Sequence, residues 1–374
     1  MPQFEIAVHY PAPPGAIRLR TSLDWERDVA PVPAGAAETE PPAPPDTPPA
    51  ATTHLFRLAA DEPFLYYKPV RRDAPDAAPA WAIGENRLAL PDRPAAAWPA
   101  FAPDAACSFC TLRTLDPGGG RPAHRYRVYY PPGYHENPLA RYPVLYMHDG
   151  QNLFLSEEAF AGATWETSRT LETLTAMNAV EPALVVGIHP DDRQRDYTRA
   201  GWDDYADFLV RHLKPAIDAE FRTRPGPRHT AVMGSSLGGV VSFHLGWRHP
   251  EVFGQAACLS STFGWADDLL ERVGREARPA TRFYLDSGWP RDNYEVTRLM
   301  RDRLRLAGYR DGADLLYLTF PGASHDERSW ALRCHIPFQF LLGGAASECP
   351  PSRAPRPRPR PPARRAPAPA PSPA

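Results

Sequence analysis

The sequence predicts an α/β fold: a mainly parallel sheet flanked by helices, preceded by a small β-sandwich and followed by a disordered tail. Three observations predict it. The first hundred residues are short, alternating β segments. From about Arg125 short apolar strands alternate with helical stretches, the pattern of a parallel sheet. Proline-rich tracts interrupt the first region and follow the second.

In the N-terminal region Phe4 to Tyr10, Ile17 to Thr21, His54 to Leu58 and Phe64 to Lys68 are rich in strand formers. The Pro/Ala/Glu tract over 30–53 has little to bury and predicts a disordered insert in a domain over 1–100. Residues 101–124 read as a linker. In the region 125–344, Tyr126 to Tyr130 is a strand, and Val144 to His148 and Ala183 to Ile188 are continuous apolar strands, as expected where both faces are covered. His229 to Met233, Gln255 to Leu259, Thr281 to Asp286 and Asp314 to Phe320 follow as strands. Helices are predicted over Thr164 to Met177, Asp203 to Phe221, Leu237 to Trp247, Tyr294 to Leu306 and Trp330 to Leu342. From 345 to 374 the chain is rich in Pro, Arg and Ala and reads as a disordered tail.

Composition narrows the function classes. Apolar residues make up 43% of the 374, enough for a sizeable core. The formal net charge of −2 is too balanced to suggest a nucleic-acid partner. The tail holds Arg353, Arg356, Arg358, Arg360, Arg364 and Arg365 without an acid, so the remainder is more acidic still. No apolar run approaches the ~18 residues a membrane helix needs, and Met1 to Tyr10 lacks a signal-peptide pattern. No membrane partner and a cytoplasmic location are therefore expected. Five scattered cysteines fit a reducing compartment. Cys107 and Cys110 form a CxxC with no second pair to complete a zinc site, so no metal or other cofactor is expected.

Gly234-Ser235-Ser236-Leu237-Gly238 fits G-x-S-x-G between a predicted strand and a predicted helix, the context in which that motif presents a nucleophilic serine. Ser236 occupies the nucleophile position of an α/β-hydrolase fold, and the Leu237 N–H faces developing oxyanion charge. A serine needs a base oriented by an acid, and in this fold the chain order is serine, acid, histidine. Of His244, His249, His325 and His335, only His325 lies just beyond the last strand, at the sheet edge where catalytic groups gather. Two acids stay open. Asp292 follows a glycine at the start of a helix, and Asp286 ends the preceding strand. The segment His148 to Phe154 follows the strand that supplies the second oxyanion donor, with Gly150 at the turn and the Gln151 N–H as donor. His148 and Asp149 read as braces for this loop.

Four segments together resemble the putative-esterase family of α/β-hydrolases, which includes enterochelin esterase-like hydrolases. They are Tyr142 to Phe154, Arg193 to Thr198, Gly234 to Gly239 and Gly322 to Trp330. The resemblance implies Ser236 as nucleophile, His325 as base and Asp292 as acid; the spacing from Gly288 to Asp292 is longer than usual, which keeps Asp286 in contention. The N-terminal region looks like the immunoglobulin-like domains attached to enterochelin esterases and like glycogen-binding modules, on Trp25, Tyr66 to Val70 and Trp81 to Asn86. Packing of the small sandwich is the preferred reading of those tryptophans over sugar stacking.

The function expected is a serine esterase acting on a small-molecule carboxylic ester, siderophore (enterochelin-type), aryl or sugar ester. Acyl transfer through the same triad and a non-catalytic carbohydrate- or partner-binding role on the same scaffold are the alternatives. The sequence says nothing of oligomeric state.

Overall fold

The computed structural model describes residues 1–13, 15–33, 53–74, 77–91, 93–102 and 107–343. Most of the insert 30–53 and all of the tail 345–374, predicted above as disordered, lie outside the described residues.

The N-terminal region contains β1 (Gln3–His9), β2 (Ile17–Thr21), β3 (Asp24–Val29), β4 (Thr53–Ala59), β5 (Leu65–Arg71), β6 (Ala80–Trp81), β7 (Arg87–Ala89) and β8 (Ala95–Ala97). They form two sheets, β4-β1-β8 and β3-β2-β5-β6, with β7 on β5. Alternation sets the packing: Phe4, Ile6 and Val8 of β1 point inward, against Ile17, Leu19, Phe56 and Leu65. No tryptophan belongs to this core. Trp81 is 40% exposed, with Arg20 and Lys68 over its ring. The packing role preferred for it from sequence is therefore corrected: the inward positions are filled by smaller side chains. The strand β3, with the sequence Asp-Trp-Glu-Arg-Asp-Val, went unpredicted because its charges hide the alternation; it is an edge strand, where charge is tolerated.

The second region holds β9 (Ser108–Phe109), β10 (Arg113–Leu115), β11 (His124–Tyr130), β12 (Val144–His148), β13 (Leu184–His189), β14 (Thr230–Ser235), β15 (Gln255–Leu259), β16 (Arg282–Trp289) and β17 (Leu315–Pro321). Its sheet runs β10-β11-β13-β12-β14-β15-β16-β17, with β9 also on β11. Thus β9 and β10 are sheet strands inside the stretch read as a linker. Pairing is antiparallel from β10 to β13 and parallel from β13 across to β17. Helices are α1 (Thr167–Ala176), α2 (Arg193–Asp196), α3 (Trp202–Phe208), α4 (Lys214–Glu220), α5 (Leu237–Arg248), α6 (Leu269–Arg275), α7 (Tyr294–Leu306), α8 (Glu327–Arg333) and α9 (His335–Leu342).

Both faces of the sheet are covered, which explains why β12, β13, β14 and β15 are buried at every position. One face packs Tyr146, Val186, Val232 and Cys258 against Phe208, Leu213, Phe243 and Met300 from α3 to α7. The other packs Leu145, Met147, Val185 and Met233 against Leu171 and Phe338 from α1 and α9. The helix predicted over 203–221 is split by a π-helical turn, Leu209–Leu213, and that over 330–342 is two helices joined at Cys334. In the first case Pro215 cannot donate to the ladder, which favours a change of register just before it.

Leu145 is fully buried at the centre of this sheet. Leu145→Ala is expected to destabilise the chain by about 2–5 kcal/mol, read as a lower urea midpoint; an unchanged midpoint would place Leu145 outside the cooperative core.

Candidate active site

Consecutive parallel strands end on the same edge of the sheet, so the loops that follow β12, β14, β15, β16 and β17 meet there. After β14 the chain turns into α5 through one residue. Ser236 has φ 56° and ψ −121°, and its N–H donates to Leu259 O at 2.9 Å. An L-residue adopts that conformation only where its surroundings enforce it. Here the helix leaves so close to the sheet that a Cβ on Gly239 would lie 2.1 Å from Ser261 Oγ. The serine hydroxyl is left partly exposed, while Ser235 beside it is buried.

His325, in the loop between β17 and α8, points its Nε2 at Ser236 Oγ, 2.9 Å away. Its Nδ1 lies 2.6 Å from Asp292 Oδ1. An ionised carboxylate only accepts, so Nδ1 carries the proton and Nε2 is free to accept from the Ser236 hydroxyl. Asp292 is buried. Burial alone raises its carboxyl, but hydrogen bonds from His325, the Ser260 hydroxyl and the Gly288 N–H outweigh that and hold it below the ordinary carboxylate range. The loop that carries it passes so near the His325 loop that a Cβ on Gly288 would lie 2.1 Å from Ala323 O.

Asp286, the other acid left open from sequence, is not beside the histidine. It is fully buried, with Oδ1 accepting from Arg333 Nε at 3.2 Å and Oδ2 from the Tyr284 hydroxyl at 2.8 Å. Asp292 Oδ2 accepts from Ser260 Oγ at 2.5 Å, Gly288 N at 2.8 Å and Arg333 Nη2 at 3.3 Å. Ser260 Oγ in turn accepts from Trp330 Nε1 at 3.0 Å and Arg333 Nη2 at 2.6 Å. Ser260, Trp330 and Arg333 were given no role at the site from sequence, although Trp330 closes the segment Gly322 to Trp330 and opens a predicted helix. Arg333 was detectable only as a charge within a predicted apolar helix.

Leu237 is the first residue of α5, so its N–H has no acceptor within the helix. Gln151 lies in a 3₁₀ turn, Gly150–Asn152, after β12; β12 and β14 are neighbours, so this turn stands beside the Ser236 turn. Asp149, at φ 55°, anchors it: its N–H donates to the Tyr197 hydroxyl at 3.0 Å and its carboxylate takes a two-point ion pair from Arg193 at 2.8 and 2.9 Å. His148 Nδ1 is 3.0 Å from the Tyr205 hydroxyl. Burial, then the Arg193 charge, pushes this imidazole down to about 3, so it stays neutral. The remaining candidates are elsewhere: His244 is buried against Trp202 at a 4.1 Å ring separation, His249 pairs with Glu251, and His335 is exposed on α9.

Residues 123–329 match the family model described as putative esterase. The chain belongs to the putative esterase family. Among relatives of this putative esterase, the uncharacterized protein YbbA of Bacillus subtilis is 23% identical over 165 residues, 40% of this chain and 60% of that protein. An endo-1,4-beta-xylanase/feruloyl esterase of Xylanibacter ruminicola is 24% identical over 213 residues, 55% of this chain and 27% of that protein. The chain thus spans less than two thirds of either. Among solved structures, a ferulic acid esterase superposes with a TM-score of 0.55 at 16% identity, covering 64% of this chain and 99% of its own. The enterobactin esterase FES from Shigella flexneri, solved in the presence of enterobactin, superposes with a TM-score of 0.53 at 16% identity over 91% of this chain and 93% of its own. These likenesses establish the fold, and the second extends it through the N-terminal sandwich.

The tight turn makes a prediction. Gly239→Ala adds a methyl group against Ser261 and is expected to cost about 1–3 kcal/mol, seen as a lower melting temperature; a melting curve that does not move would mean that Ser261 can swing aside.

Proposed function

We propose that this putative esterase is a serine hydrolase that cleaves a small-molecule carboxylic ester through an acyl-enzyme. The observation that carries the reading is the hydrogen-bonded chain from Ser236 through His325 to the buried Asp292. Ser236 Oγ attacks the ester carbonyl carbon while His325 Nε2 takes its proton. The N–H groups of Leu237 and Gln151 receive the carbonyl oxygen as it gains negative charge, the term that contributes most to such reactions. The tetrahedral intermediate collapses with the C–O bond breaking, and His325 returns the proton to the leaving alcohol. Water then enters, gives a proton to His325 and attacks the acyl carbon, and Ser236 leaves with that proton. Asp292 keeps the imidazole in the correct tautomer throughout and stabilises its protonated form.

A carboxylic ester that carries an aromatic ring, an aryl ester or an enterochelin-type siderophore ester among them, is the proposed substrate class. Trp265, after β15, and Trp289, at the end of β16, are 60% and 48% exposed on the same sheet edge as Ser236 and offer flat faces to an aromatic ring. The names of the feruloyl and enterobactin esterases point to the same class. Cys107, Cys110, Cys258 and Cys334 are free thiols, in keeping with a role in the reducing cytoplasm.

Ser236→Ala is expected to lower kcat for p-nitrophenyl acetate by about 10⁴-fold or more while the far-ultraviolet circular dichroism stays as in the parent. Turnover close to the parent rate in that variant would remove Ser236 from the mechanism.

A further inference from the structure

Behind the acid of the triad lies a second, buried charge pair that the reaction described above does not use. Arg333 on α8 and Asp286 on β16 have side chains 3% and 0% exposed. The guanidinium touches Asp286 Oδ1 through Nε and, through Nη2, both Asp292 Oδ2 and Ser260 Oγ; its Nη1 donates to Ser329 O. Asp286 receives a donor on each oxygen, Arg333 on one and the Tyr284 hydroxyl on the other. Burial raises the Asp286 carboxyl above its ordinary range, while the Arg333 charge and the hydrogen bonds from Tyr284 and Arg333 pull the other way and favour the ionised form.

Such a pair is an expensive way to fill a core. Desolvating two charges costs about as much as their attraction returns, and an apolar pair of the same volume packs as well. Its position gives it another role. A cation against Asp292 opposes the stabilisation that this carboxylate gives to the imidazolium of His325. A second carboxylate behind the cation cancels that opposition.

We propose that Asp286 and Arg333 are positioning residues for the triad, a compensated pair that lets Arg333 hold the Asp292 carboxylate in place while the acid side of His325 keeps one net negative charge. This rests on the triad reading above. Other groups around the cluster do not supply the balancing charge. On β15 Cys258, and at the start of α9 Cys334, are thiols that burial holds above their ordinary range, so both are neutral. On the loop of Asp292, Arg291 is exposed. Beside His325, Asp326 caps α8 through the Ser329 N–H, Glu327 accepts from Asn152, and Arg193 is committed to Asp149. The Trp330 ring meets the His325 ring edge-on, 5.1 Å between centroids, and carries no charge.

The sign follows. Asp286→Asn keeps the shape and removes the compensating charge, leaving Arg333 as a net cation next to Asp292. The imidazolium becomes less favourable, and the acidic limb of kcat/KM moves to lower pH by about half a unit to one unit. In the double variant Asp286→Asn/Arg333→Met the cation is gone as well, and the limb returns to within about 0.2 unit of the parent. A purely structural pair would lower the melting temperature in both variants without moving the limb in one and restoring it in the other.

The experiment measures kcat/KM for p-nitrophenyl acetate from pH 4.5 to 8.5 for the parent, Asp286→Asn and the double variant, with Ser236→Ala as control. If Asp286→Asn does not fold, Asp286→Ser removes the same charge and leaves room for water. A limb shifted down in the single variant and restored in the double supports the proposal. An unmoved limb in the single variant, or a double variant that keeps the shift, overturns it while the triad reading stands. Parent-like turnover by Ser236→Ala overturns both.

Discussion

Between β14 and α5 the direction of the chain is reversed at Ser236, whose backbone stays in a conformation that an L-residue avoids. Parallel pairing of β14 with β12 on one side and β15 on the other holds the strand end. The Ser236 N–H is tied to Leu259 on β15, and the helix packs on the sheet across Gly239. Strain of order 1–3 kcal/mol is kept only where surrounding structure over-determines it. The result is a partly exposed hydroxyl on a rigid base, with the start of a helix beside it. Everything else at this sheet edge is arranged around that fixed point.

Two further groups reach it from distant parts of the chain because parallel strands deliver their following loops to one edge. His325 arrives after β17 and Asp292 after β16, and Gly288 lets their loops come into contact. Polar groups buried there need partners, since an unpaired carboxylate in a low-dielectric setting is costly. Ser260, Gly288, Trp330 and Arg333 provide them through one connected network with Asp292 and Asp286. On the other side of Ser236 the same principle fixes the turn at Gln151, through Asp149, Arg193 and Tyr197.

What the sequence made legible was whatever depends on local pattern. The apolar runs of β12 to β15 follow from burial on both faces, and the turn at Ser236 is written in five adjacent residues. His325 could be singled out because its place after the last strand is a topological fact. The choice between Asp286 and Asp292 was not legible, because it turns on Arg333, 47 and 41 residues away, which occupies Asp286 and leaves one oxygen of Asp292 to the histidine. Ser260 was missed for the same reason: its partners Trp330 and Arg333 lie 70 and 73 residues further on. In the N-terminal region, alternation revealed β1, β2, β4 and β5 but not β3, whose exposed and half-buried side chains do not alternate. The tryptophans there suggested a core and are instead outside it, because aromatic size alone does not tell which face of a strand looks inward.

The central claim is that the Ser236 hydroxyl, and no other, is activated. It is tested most directly by treating the full chain with a fluorophosphonate at neutral pH and locating the adduct by mass spectrometry of the digested protein. The account predicts a single adduct, on the peptide that bears Ser236, and its disappearance in His325→Ala. An unlabelled chain, or a label that settles on another residue while Ser236 stays free, would contradict it.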